Sequence, residues 1–135
     1  MEEERPGGPK GLKKPNVLRD KAFAFSVRII ALTRRLKEQK AEATLVNQML
    51  RSGTSISANV EEANAAISRA EFAFKLSIAF KEARETHNWL RMFMEAGILS
   101  SHEYESIGKD CEEILKLLWA ILKTLRTKNN GFQNR

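Results

Sequence analysis

Phe72, Leu76, Ala79, Ala83, Thr86, Leu90 and Phe93 recur at alternating spacings of four and three, and this spacing constrains the chain more than any other feature. Residues so placed share one stripe of an α-helix, whereas a strand, with its period of two, would scatter them over both faces. Just upstream, Ser68 and Glu71 make the S-x-x-E capping box that satisfies the first amides of a helix. Gly97 stands where a left-handed residue closes one.

Three other segments repeat the pattern. From Asn16 as cap to about Glu38, the stripe is Leu18, Ala22, Phe25, Ile29, Leu32 and Leu36. From about Glu42 to Ala66 it is Leu45, Met49, Ser52, Ile56, Val60, Ala63 and Ile67. After a second capping box, Ser100 with Glu103, it is Tyr104, Ile107, Cys111, Ile114, Leu118, Ile121 and Leu125, ending near Arg126. No strand pattern competes. Four such stripes joined by short connections predict an all-α fold, an antiparallel up-and-down four-helix bundle over residues 17–126. Residues 1–16 hold all three prolines, with Gly7, Gly8 and Gly11, and read as a disordered arm. Residues 127–135 read as a frayed basic tail.

The second helix has an unusual interior. Ser52, Gly53, Thr54, Ser55, Ser57 and Asn59 are poor helix formers, because glycine loses backbone entropy and the hydroxyl and amide side chains compete for backbone hydrogen bonds. Ile56 and Val60 nevertheless keep the apolar spacing. One reading is a helix thinned so that a neighbour can approach closely; the other is a family signature.

A chain of 135 residues with 42% hydrophobic content is the size of one domain and can bury a sizeable core. No stretch approaches the roughly 20 apolar residues that span a bilayer, and the chain opens with three glutamates after Met1 rather than a cationic and apolar leader. A cytoplasmic protein without a membrane partner is expected. Cys111 is the single cysteine, so no internal disulfide forms, and it lies on an apolar stripe as a small buried hydrophobe would. The formal charge of +6 and pI near 9.7 favour a polyanion over an acidic partner. Lys123, Arg126, Lys128 and Arg135 have no acidic residue among them, and Lys10, Lys13 and Lys14 sit in the amino-terminal arm. Such arms either reach a phosphate backbone or serve as solubilising tails.

Two helices carry more apolar surface than one bundle needs. At 100° per residue, Phe23, Val27 and Ile30 lie well off the core stripe of the first helix, and Phe74, Ile78, Trp89 and Met92 off that of the third. Apolar faces rich in aromatics and Met mark protein contacts, which predicts a homo-oligomer interface at these seven residues. The alternative is a wide stripe packed inside the bundle. Lys21, Arg28 and Arg35 recur every seven residues on the first helix, and Arg84 and Arg91 belong to a polar stripe on the third with Ser77, Asn88 and Glu95. In a ring each basic row is repeated once per subunit, so these five residues are the candidate nucleic-acid contacts.

Catalytic arrangements find little support. Neither His87 nor His102 has a glutamate three residues before it, as a carboxylate-bridged metal bundle requires. Glu61, Glu62, Glu82 and Glu85 are more simply partners of Arg51 and Arg84 in interhelical salt bridges. Arg84 and His87 lie one turn apart and resemble the cation and base of an RNA-cleaving pair, but the histidine has no orienting partner in the sequence. Nucleotide loops and zinc motifs are absent. No catalytic residue, metal or cofactor is expected.

The run Arg51-Ser52-Gly53-Thr54-Ser55-Ile56-Ser57-Ala58-Asn59-Val60-Glu61-Glu62-Ala63, with Lys75 to Ala79, Lys81 to Thr86 and Trp89-Leu90-Arg91, resembles the four-helix-bundle family named for 23S rRNA intervening-sequence proteins. The likeness covers residues 17–126. Val60 and Ala63 replace the isoleucine and glycine of the family pattern R-S-x-x-S-I-x-x-N-I-x-E-G. The resemblance implies a non-enzymatic bundle assembled as a ring-shaped homopentamer, and a connection to RNA. A related set of basic pentameric bundles serves as accessory subunits of retroelement reverse transcriptases. Two functions are therefore expected to compete: an oligomeric RNA- or DNA-binding or scaffold protein, and a protein-interaction scaffold such as that accessory subunit.

Overall fold

A computed structural model describes residues 14–133, with side chains over 17–127. It contains four helices, α1 (Lys14–Glu38), α2 (Ala43–Asn64), α3 (Arg69–Glu95) and α4 (Ser101–Gln133), and no strand among the described residues. Each helix packs on the next and α1 closes against α4, so the close pairs are the neighbours around the bundle. Neighbours run antiparallel: Arg19 reaches Glu61 while Ser26 reaches Gly53, and Lys21 meets Glu113 while Arg35 meets Glu103. This is the expected up-and-down bundle.

The connections explain why the helices stop where they do. Ser68 accepts from the Glu71 amide at 3.0 Å, and Ser100 accepts from that of Glu103 at 3.1 Å, as both capping boxes required. Gly97 adopts φ 79°, with Ile98 N–H donating to Phe93 O at 2.8 Å and Gly97 N–H to Met94 O at 3.1 Å. These two bonds close α3 as a Schellman motif. The same pair of bonds closes α1, from Ala41 to Leu36 O and from Lys40 to Lys37 O, but there the left-handed residue is Lys40, at φ 62°. Pro15 lies in the first turn of α1, where a missing amide costs nothing. The expected arm is outside the described residues up to residue 13. The expected end near Arg126 is passed: α4 continues to Gln133, with no proline to stop it.

The stripes of α1, α3 and α4 form the core as spaced, from Leu18 through Leu36, Phe72 through Phe93, and Ile107 through Leu125. In α2 the first and last expected members fail. Val46 is fully buried, whereas Leu45, in the first turn of α2, is 38% exposed. Ile67 is 96% exposed because α2 ends at Asn64 and leaves it in the connection.

The small residues of α2 serve close packing. Gly53 is buried against Ile29 of α1, and its carbonyl accepts from Ser26 Oγ at 2.7 Å. On the other side, Thr86 Oγ1 of α3 lies 2.8 Å from Ser52 Oγ, so a hydroxyl pair joins α2 to α3 inside the core. Three of the other polar members bond within the helix: Thr54, Ser55 and Asn59 donate to the carbonyls of Leu50, Arg51 and Ser55. Of the run's longer polar residues, Arg51 is tied to Glu82 and Glu85 and Glu62 to Lys75, whereas Asn59 bonds only its own helix.

Candidate nucleic-acid interface

The bundle sorts its cations into two groups. Lys21, Arg28 and Arg35 face α4, where Lys21 pairs with Glu113 at 2.7 Å, Arg28 with Asp110 at 2.7 Å, and Arg35 with Glu103. Arg28 also donates to Ser106 Oγ at 2.6 Å. The heptad row of α1 thus meets carboxylates at matching heights and forms an ionic zipper. These three residues, expected as nucleic-acid contacts, have their charge offset within the bundle.

Arg84 and Arg91 are exposed and make no salt bridge among the described residues. At 100° per residue they share the outer α3/α4 face with Lys81, and α4 contributes Lys109, Lys116 and Lys123 at seven-residue spacing. By the same angles Glu95, Glu105 and Glu112 also fall on this face, and Glu112 is engaged by His87 at 3.3 Å. The α4 row escaped the sequence reading, although its spacing is as regular as that of α1. What distinguishes it is lack of a partner row, which only packing reveals.

At one end of this face lies a cleft of about 440 Å³ between α3 and α4, lined by Ser77, Phe80, Lys81, Trp119, Leu122, Lys123, Arg126 and Thr127. Phe80 and Trp119 form its aromatic wall, with ring centres 6.3 Å apart and planes tilted by 38°. Trp119 is 54% exposed because it follows Leu118 and so sits 100° from the core direction. Ser77 and Thr127 donate their hydroxyl protons to Ala73 O and Lys123 O, which leaves the oxygens free to accept.

Phe23 and Phe74 are 62% and 61% exposed, and Val27, Ile30 and Met92 are exposed with them. Ile78 and Trp89 are only partly exposed. Trp89 packs on Phe93 at 5.9 Å, and its Nε1–H donates to Glu85 at 3.0 Å. Burial opposes ionisation of Glu85, yet the bonds from Trp89 and Arg51 prevail and hold its carboxyl below the usual range.

His87, which the sequence left without an orienting group, has one in Glu112 and lies 6.1 Å from the Tyr104 ring. The Cys111 thiol is fully buried and pushed up to about 12 by burial first, then by Glu112 and Asp110, so it is neither nucleophile nor ligand at neutral pH. Among the described residues no three His, Cys, Asp or Glu side chains are grouped to hold a metal, and no helix is long and apolar enough to cross a membrane.

A protein of unknown function from the S23 ribosomal protein family of Bacteroides thetaiotaomicron is similar to this chain at 47% identity. The likeness covers 82% of this chain and 98% of that one, with a TM-score of 0.79. Among curated proteins there is no match. The profile of the 23S rRNA-intervening sequence protein family matches residues 14–120, and with the same helices in a near relative, the chain belongs to that family.

Proposed function

We propose that this protein is a non-enzymatic, cytoplasmic homo-oligomer that binds RNA or DNA through the outer α3/α4 face. The observation that carries the reading is the sorting of charge: the α1 row is offset by α4 carboxylates, while Lys81, Arg84, Arg91, Lys109, Lys116 and Lys123 outnumber Glu95, Glu105 and Glu112 on the outer α3/α4 face. A polyanion gains most where cations are closely spaced and lack internal partners. Association with a nucleic acid then needs no sequence readout.

The apolar faces support assembly. Phe23, Val27 and Ile30 lie on the α1/α2 side, and Phe74 and Met92 on the α2/α3 side, so the two patches face directions roughly 90° apart. Two different patches at an angle make a heterologous contact that closes into a ring, and a homopentamer fits this geometry. Arg84, Arg91 and the α4 lysines lie off both patches, whereas Lys81 points within about 20° of Phe74 and Met92.

Binding to labelled RNA and DNA, followed by anisotropy over a salt series, tests the reading. Affinity should fall steeply with salt, and Arg84→Gln or Lys116→Gln should each lower the slope of log K against log salt by about one. Arg28→Gln should leave it unchanged. Failure to bind either nucleic acid at low salt overturns the proposal, and degradation of the RNA would instead expose an activity at Arg84 and His87. Light scattering should give a mass several times that of one chain, reduced by Phe23→Asp.

A further inference from the structure

The α3/α4 cleft has a character that a duplex phosphate backbone does not use. We propose that it holds one unstacked base of a single-stranded nucleic acid on Trp119, with the adjoining phosphates on Lys81, Lys123 and Arg126; this rests on the nucleic-acid reading above and specifies its substrate class. Three features converge. The indole of Trp119 is half exposed beside Phe80, so a large aromatic surface faces solvent where the core does not need it. Such a surface favours the flat face of a base, and a duplex offers only base edges.

The rim is cationic, since Lys81, Lys123 and Arg126 line the same cleft and no carboxylate does. An apolar helix of a protein partner would find no use for three cations around one aromatic wall, whereas a nucleotide supplies an aromatic plane and an anion a few ångströms apart. The volume of about 440 Å³ lies in the range of clefts that enclose small ligands. Finally, the oxygens of Ser77 and Thr127 have given their protons to backbone carbonyls and can only accept, which suits the amino and imino N–H groups on the edge of a base. Trp119, Leu122, Lys123 and Arg126 of the cleft belong to α4, which carries none of the residues assigned to assembly.

The test compares a short single-stranded oligonucleotide with the duplex of the same length, using the full chain at low salt. Trp119→Ala should weaken binding of the single strand about 5- to 100-fold and that of the duplex less than twofold, while Trp119→Phe retains most of the affinity. Single-strand binding should also quench tryptophan emission in the wild type and not in Trp119→Ala. Circular dichroism of the variants should match the wild type, because Trp119 is not a core residue. Equal losses for both nucleic acids, or no loss with salt-dependent binding intact, would overturn the stacking site and leave the basic face standing. Absence of binding to either nucleic acid overturns both, and capture of a protein at the cleft that Trp119→Ala abolishes while nucleic acids do not compete would assign the site to a protein partner instead.

Discussion

Gly53 of α2 and Ile29 of α1 approach so closely that a Cβ on the glycine would stand 2.7 Å from Ile29 Cγ2 and 3.0 Å from its Cγ1. Alanine in a helix interior ordinarily gains about 1 kcal/mol over glycine. Here the sign should reverse: Gly53→Ala is expected to destabilise by about 1–3 kcal/mol, since neither backbone nor a β-branched side chain gives way easily. Trimming the partner relieves the clash, so Gly53→Ala with Ile29→Ala should cost less than the sum of the two single changes. Urea denaturation of the four proteins measures the coupling, and strict additivity would contradict the packing described.

The two Schellman closures allow an opposite pair of changes. Lys40 holds φ 62° with a side chain that disfavours it, while Gly97 holds φ 79° without cost. Lys40→Gly should stabilise the protein by up to about 1 kcal/mol and Gly97→Ala should destabilise it by a similar amount. Nothing lies within 4 Å of the Cβ position at Gly97, so its loss would report backbone conformation alone. Thermal melts of both variants check the signs.

The ionic zipper between α1 and α4 should contribute little to stability despite its regularity. Its members are 38% to 52% exposed, and exposed pairs are worth at most about 1 kcal/mol each. Arg28→Gln should therefore lower stability within that range, and the exchange Arg28→Asp with Asp110→Arg should recover most of the loss. Chemical denaturation at low and high salt checks this, and the difference between wild type and Arg28→Gln should shrink as salt rises.

Cys111 supplies a pH dependence on the alkaline side. Its folded-state pKa of about 12 lies above the ordinary value of 9.0, so the unfolded chain loses the proton first. The contribution to stability is full below about pH 9 and is lost as pH rises towards 12. Stability measured between pH 8 and 10.5 should fall less in Cys111→Ala than in the wild type. At pH 8 a thiol reagent should label the unfolded chain rapidly and the native chain only through unfolding.

Much of the architecture was legible because side-chain spacing reports the face of a helix directly. Phe72 through Phe93 could be placed from period alone, and Ser68 with Glu71, Ser100 with Glu103 and Gly97 marked the ends. Lys21, Arg28 and Arg35 show the limit of that reasoning. Periodicity identified the row, but whether a row faces water or a neighbour's carboxylates depends on which helix lies beside it. Trp119 shows the converse: one position past Leu118 it lies 100° off the α4 stripe, so the angular argument that took Phe23 and Phe74 off their stripes places it outside as well. Leu45 and Ile67 failed at the two ends of α2, one in its first turn and the other beyond its last residue.

The division of α4 into a carboxylate side and a lysine side gives the molecule a direction. Glu103, Asp110 and Glu113 meet the α1 row on one flank of α4, and Lys109, Lys116 and Lys123 lie on another. On the proposed binding to nucleic acid, so uneven a field would exert a torque as well as an attraction on an approaching rod of phosphates. Encounters would then begin oriented, and in the proposed ring every subunit would present that flank at the same inclination.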